Sequence, residues 1–141
     1  MKKIFKFIII LLLWFLPSII IRSNTSFYKN INLPKFAPPT IVFPIVWSIL
    51  YVLISISIYR NKDKTLDYYK SLIINYFSNQ IFTFLFFNLQ SPFLALIDTG
   101  IVLISSLFLY VNSNKDKLLI PYIIWNVFAT ILISSIYFMN L

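Results

Sequence analysis

Five long apolar runs, separated by short polar stretches, organise this chain of 141 residues. The first covers residues 4–21, is interrupted by Lys6 and carries Pro17. The second covers residues 40–59 and stops at Arg60-Asn61-Lys62-Asp63-Lys64. The third covers residues 71–89, and the turn Gln90-Ser91-Pro92 separates it from the fourth, residues 93–111. After Asn112-Ser113-Asn114-Lys115-Asp116-Lys117 comes the fifth, residues 118–139. Each run is close to the roughly 20 residues a helix needs to cross the hydrocarbon core of a bilayer. The pattern predicts an all-α integral membrane bundle of five transmembrane helices, forming one domain over residues 1–141. Pro92 and Pro121 stand near helix starts, where a missing N–H has no partner to lose. Residues 22–39 are polar, aromatic and proline-bearing, and read as the longest loop. The first run has two readings. Lys2, Lys3 and Lys6 before an apolar stretch suit a signal peptide, but the run exceeds the usual core of about 7–15 residues and no small-x-small cleavage pattern follows cleanly. A retained helix is the expectation.

Composition narrows the class further. The chain is 60% hydrophobic and 11% charged, against about 45–50% apolar and about 25% charged in an ordinary soluble domain. A water-soluble globule of this size could not hide so much apolar surface. There is no Cys, His or Glu, and the acids are Asp63, Asp67, Asp98 and Asp116. Disulfides, the usual zinc sites, thiolate nucleophiles and imidazole bases are therefore excluded. No metal site, resident cofactor or conventional acid–base catalyst is expected. The net charge of +8 comes from basic residues at the ends of apolar runs, which suits a lipid–water interface rather than nucleic acid. Nine Lys and Arg fall on one side of the predicted topology and three (Arg22, Lys29, Lys35) on the other. The positive-inside rule then places the N-terminus in the cytoplasm and the C-terminus outside.

Few residues inside the runs carry chemistry. Asp98, in the fourth, is costly in lipid and reads either as a structural anchor or as a functional acid. Asn75 and Asn79 share one helical face with Phe82, and Gln80 and Thr83 lie beside them; buried amides in lipid need partners on another helix or on a ligand. Trp47 and Tyr51, at i and i+4, form an aromatic stripe on the second run. Trp125, Ala129 and Leu132 form another on the fifth, the Ala leaving a gap beside the indole. Such stripes serve packing, or they wall an apolar cavity for a flat ligand oriented by an amide. Trp14 reads as an interfacial or lipid-facing ring. With Gly100 alone there is no GxxxG seam, and Ser55, Ser57, Ser105, Ser106, Ala129, Ser134 and Ser135 are the small residues left for close helix approach.

Three blocks of the chain resemble a known family. Leu33-Pro34-Lys35-Phe36-Ala37-Pro38-Pro39 followed by Val42-Phe43-Pro44-Ile45-Val46-Trp47-Ser48-Ile49-Leu50-Tyr51 is similar to the signature of the TspO/translocator proteins, also called tryptophan-rich sensory proteins or peripheral-type benzodiazepine receptor homologues. The family form is Lys-Pro-Ser-Trp-x-Pro-Pro, then Val-Phe-Gly-Pro-Val-Trp-Thr. Phe86-Phe87 with Pro92-Phe93-Leu94-Ala95-Leu96-Ile97-Asp98 is the second block, and Pro121-Tyr122-Ile123-Ile124-Trp125 with Phe128-Ala129-Thr130 the third. The resemblance runs from about Tyr28 to the end. Phe36 and Phe82 stand where the family has Trp, Pro44-Ile45 replaces Gly-Pro, and Ile133 replaces a common Asn. After Tyr137 no basic residue follows, so the animal members' cholesterol motif is incomplete.

The resemblance implies five spans around a cavity beneath the first loop, binding porphyrins and isoquinoline-type drugs. By motif its lining would include Tyr28, Pro38, Trp47, Tyr51, Asn79, Phe82, Trp125, Ala129 and Leu132, with the loop at 22–39 as a lid. The implied function is binding of a protoporphyrin-type ring between Trp47/Tyr51 and Trp125, its propionates meeting Arg22, Lys29 or Lys35. Some bacterial members are reported to break porphyrin down in light; Trp47 and Trp125 would then be the redox partners. The alternatives are a porphyrin or lipid transporter, with Asp98 as the coupling group, and a small membrane regulator or scaffold. The resemblance also implies membrane lipid as surroundings and a homodimer. Heavy Ile, Lys, Asn and Phe usage suits an AT-rich bacterial genome, hence a bacterial cell membrane.

Overall fold

In the computed structural model, which describes residues 2–20 and 25–141 (all but the side chains of residues 19 and 20), the chain is helical. Helix α1 spans Lys2–Ile20, α2 Ser26–Asn30, α3 Val42–Arg60, α4 Leu66–Thr83, α5 Pro92–Asn112 and α6 Ile120–Met139. A π-helical turn, Phe84–Asn88, prolongs α4, and a 3-10 turn, Lys117–Leu119, leads into α6. The five long helices form the transmembrane bundle. Segments within α3, α5 and the Lys117–Met139 stretch are long and apolar enough to cross a membrane by length and composition alone.

The bundle is apolar outside, and its interior mixes apolar and aromatic side chains with buried polar groups. Ile4, Phe5, Ile41, Ile49, Phe77, Phe108 and Ile124 are exposed, while Ser55, Ser57, Asn75, Asn79, Asp98, Ser106 and Asn126 are buried. Lipid competes for apolar side chains as well as a protein core does, so burial is decided by the polar groups that lipid cannot solvate. Several buried hydroxyls bond back to their own helix: Ser55 Oγ donates to the Tyr51 carbonyl at 2.7 Å and Ser106 Oγ to that of Leu103 at 2.7 Å. They let helices approach without an orphaned donor. Gly100 plays no such part, since a Cβ there would meet nothing within 4 Å.

Three boundaries differ from the sequence pattern. The third span starts at Leu66, because Thr65 caps the helix by accepting the Tyr68 N–H at 3.2 Å and Asp67 favours its first turn. Its last turn is π-helical, with the Leu89 N–H reaching the Phe84 carbonyl at 2.9 Å. The first loop contains the short α2, which has no apolar periodicity to announce it. Pro17 lies within α1 and supplies no N–H to the Leu13 carbonyl. Tyr76 of α4 fills the gap, its hydroxyl donating to that carbonyl at 2.7 Å, and Gln80 Nε2 donates to the Trp14 carbonyl at 3.0 Å.

Both ends of the bundle are tied. At one, Asn140 Nδ2 donates to the Asn32 carbonyl at 2.9 Å while its Oδ1 accepts the Asn32 N–H at 3.0 Å. At the other, Arg60 pairs with Asp116. Burial pushes the Asp116 carboxyl up, but the Arg60 guanidinium, the Leu118 N–H and the Ser57 hydroxyl together hold it below the usual carboxylate range. A lowered folded-state pKa stabilises above the unfolded value of about 4, and the benefit is lost as pH falls through the folded value. The thermal midpoint of the parent is therefore expected to fall more steeply than that of Asp116→Asn between about pH 6 and about pH 3. The gap between the two closes at the acid end; parallel curves would show that the pair adds nothing.

Candidate functional site

A cavity of about 420 Å³ lies between the second half of α1, the first turns of α3 and the end of α4. Phe15, Pro17 and Ser18 form the α1 wall; Phe43, Trp47 and Tyr51, successive turns of one α3 face, form the second. Gln80, Phe82, Thr83 and Phe87 close the third, and Thr25 and Thr40 line the end nearest the first loop. Among the described residues, the lining includes no charged side chain.

Local sequence explains each wall. Spacing of four residues puts Phe43, Trp47 and Tyr51 in one column, and the Trp47 and Tyr51 rings stack at 5.6 Å with an interplanar angle of 29°. The wider π turn brings the adjacent Phe86 and Phe87 both inward, where both are buried. Phe82 stacks on Phe86 at 6.0 Å, and Phe43 meets Phe87 edge-on at 6.1 Å. The α1 wall is held by the Tyr76 and Gln80 bonds to its backbone.

Behind Trp47 and Tyr51 runs a buried hydrogen-bond chain. Tyr51 Oη donates to Asn79 Oδ1 at 3.0 Å, and Asn79 Nδ2 donates to Tyr122 Oη at 2.7 Å. Tyr122 Oη donates to Asn75 Oδ1 at 2.9 Å, and Asn75 Nδ2 donates to Ser105 Oγ at 3.0 Å. Four helices are joined by the one network.

The residues singled out from the sequence fall into three groups. Trp47, Tyr51 and Phe82 line the cavity. Asn79, Trp125, Ala129 and Leu132 border two much smaller voids of about 10 Å³ each, which share Trp47 and Phe82 with the cavity as a common wall. Tyr28 and Pro38 are joined to each other, Tyr28 Oη donating to the Pro38 carbonyl at 2.6 Å, and they fix the first loop instead of lining the cavity. Burial raises the pKa of the Tyr28 phenol. The slot expected between Trp47 and Trp125 is filled by the rings themselves, in edge-to-face contact at 6.3 Å. The large space is on the α1 side. Lys29 and Lys35 are exposed and off the lining; Arg22 lies outside the described residues. Trp14, read as interfacial, is buried at 2% exposure between Tyr51 and Tyr76. Asp98 is buried on α5, its Oδ2 without a hydrogen-bond partner among the described residues.

Sequence reading missed the α1 wall, because a uniformly apolar helix carries no stripe to show its inward face. It also missed Asn126, buried to 2% exposure on α6. An amide inside an apolar run was a usable signal.

Comparison with known proteins completes the description. Residues 6–139 match the profile of the TspO/MBR family. The tryptophan-rich protein TspO of Bacillus cereus is 34% identical, covering 91% of this chain and 90% of its own. The protein of that name from Archaeoglobus fulgidus is 29% identical, covering 84% and 83%. The membrane protein YtaB of Bacillus subtilis is 30% identical over the same shares, 84% and 83%.

Proposed function

The chain belongs to the TspO/MBR family, and from that premise we propose that this integral membrane protein is a tetrapyrrole receptor, taking a metal-free protoporphyrin-type ring into the α1-side cavity. The observation that carries the reading is the cavity itself, walled by the Trp47–Tyr51 stack, Phe43, Phe82 and Phe87, with no charged side chain among its described lining residues. A flat apolar ring gains stacking and burial there. Its carboxylates stay at the loop end, where Thr25 and Thr40 line the cavity and Lys29 and Lys35 face outward on the loop. With no His or Cys in the chain, a haem iron would lack its common axial ligands, which favours the metal-free ring. Breakdown of that ring in light would use Trp47 as the redox partner on the wall, with Trp125 in edge contact behind it. The nine basic residues gathered at the Arg60–Asp116 end make that end cytoplasmic and the first-loop end external.

The test is a dark titration of detergent-purified protein with protoporphyrin, following tryptophan quenching and Soret absorbance. Saturable binding at about micromolar Kd is expected, weakened about tenfold in Trp47→Ala through loss of the stacking face. Because Trp125 stands behind Trp47, Trp125→Phe is expected to change it less. Non-saturable uptake by a folded parent would leave the regulator or scaffold reading standing.

A further inference from the structure

The first loop meets the cavity at its two ends and is fastened elsewhere in its middle. Thr25 and Thr40 line the cavity, whereas Asn32 between them is tied to Asn140, the residue that ends α6. Asn140 Oδ1 accepts the Asn32 N–H at 3.0 Å, and Asn140 Nδ2 donates to the Asn32 carbonyl at 2.9 Å. One side-chain amide thus pairs with both backbone groups of one residue, as a neighbouring strand would. Among side chains only an amide carries donor and acceptor side by side in this way. The Asn140 Nδ2 also holds its own helix end, donating to the Ile136 carbonyl at 2.7 Å. Among the described residues α1, which forms the opposite wall of the cavity, packs against α3 and α4 but not against α2 or α6.

The fastenings of the loop differ in kind. Tyr28 is 3% exposed, set among Phe43, Phe86 and Phe87 and bonded to the Pro38 carbonyl. Phe36 meets Phe128 of α6 at 6.2 Å. Asn32 and Asn140 are both exposed, so their hydrogen bonds exchange for bonds to water at small net cost. Segments held by solvent-exposed hydrogen bonds open locally before the buried core does. The amide pair is therefore the fastening that releases first, while Tyr28 keeps α2 on the π turn. Its release frees the chain between α2 and α3 from α6 at the Thr40 side of the cavity mouth.

We infer that the Asn140 amide is the latch of a strap formed by residues 25–40, and that its opening sets how fast solutes pass between water and the cavity. The inference concerns access and not the occupant, so it stands or falls apart from the tetrapyrrole reading. It also gives the two asparagines different parts. Asn140 acts through its side chain and Asn32 through its backbone, with the Asn32 amide adding only a 3.4 Å contact to the Met139 carbonyl.

A chain without cysteine allows a direct test. Thr83→Cys and, as a second reporter, Ser48→Cys each place one thiol on the cavity wall. The probe is a water-soluble cationic methanethiosulfonate, and mass spectrometry follows its reaction with protein in detergent. The thiol of Thr83→Cys is expected to react at least about tenfold more slowly than that of Asn30→Cys, on the exposed side of the loop. Adding Asn140→Ala is expected to speed the cavity reaction about tenfold, with the thermal midpoint unchanged. Adding Asn32→Ala, which spares both backbone bonds, is expected to change the rate less than twofold. Hydrogen exchange in Asn140→Ala is expected to quicken within residues 31–40 and not within α3 or α4. An unchanged rate in Asn140→Ala overturns the proposal, as does a cavity thiol that already reacts like Asn30→Cys in the parent. Equal acceleration by Asn32→Ala overturns it by removing the backbone pairing as the cause. A lower thermal midpoint with faster exchange throughout the bundle makes Asn140 a structural cap of α6 and overturns it as well.

Discussion

Tyr122→Phe is expected to lower the unfolding free energy in detergent by about 2–4 kcal/mol, although it removes a single oxygen. That oxygen is the centre of the interior network: it accepts from Asn79 Nδ2 and donates to Asn75 Oδ1, on a side chain only 1% exposed. Hydrogen bonds between membrane helices are worth about 0.6 kcal/mol on average when both partners are removed together, since the unfolded chain in lipid finds others. Phenylalanine instead leaves a donor and an acceptor stranded in the folded state, each at about 1–3 kcal/mol. Tyr51→Phe strands Asn79 Oδ1, while Gln80, its other neighbour, keeps the Trp14 carbonyl, and it is expected to cost about half as much. Denaturation by dodecyl sulfate, followed by circular dichroism, measures both. Equal and sub-kilocalorie losses would mean that the network decorates the bundle and packing holds it.

The second large effect is expected at α1. The Leu13 carbonyl, left without its helical donor by Pro17, depends on the Tyr76 hydroxyl, and the Trp14 carbonyl accepts from Gln80. Tyr76→Phe combined with Gln80→Leu is expected to loosen the cavity wall formed by Phe15, Pro17 and Ser18. Protoporphyrin affinity is expected to drop by about tenfold or more, with faster hydrogen exchange along α1. The compensating change identifies the cause. Pro17→Ala restores an N–H within reach of the Leu13 carbonyl, so it is expected to recover much of the loss caused by Tyr76→Phe alone. The ring contact of residue 76 with Trp14, at 5.0 Å, survives in both variants and cannot account for a rescue. No rescue by Pro17→Ala would place the role of Tyr76 elsewhere.

These ties show which parts of the site a reader of the sequence can reach. Trp47 and Tyr51 share a face because four residues make about one helical turn, and Asn75 and Asn79 share theirs for the same reason. Local geometry suffices for such pairs. The need of Asn75 and Asn79 for partners was equally plain, since lipid has none to give. Their partners, Tyr122 and Ser105, could not be read off, because they come from helices whose rotation is set by packing. The π turn escaped because its consequence, Phe86 and Phe87 both pointing inward, breaks the period by which helical faces are predicted.

The sequence by itself determined the solvent, the class of fold, the order of the five spans, and the family. Those follow from sums along the chain: hydropathy, run length, charge at the run ends and local motifs. Only the tertiary structure decided where the space is. In a helix that is apolar all round, lipid-facing and protein-facing residues look alike, so neither the inward face of α1 nor the contact that closes Trp47 against Trp125 leaves a mark in the pattern. The side chains that break this symmetry are the polar ones, Tyr76, Gln80, Asn79 and Tyr122, and their meaning depends on the atom that meets them from another helix.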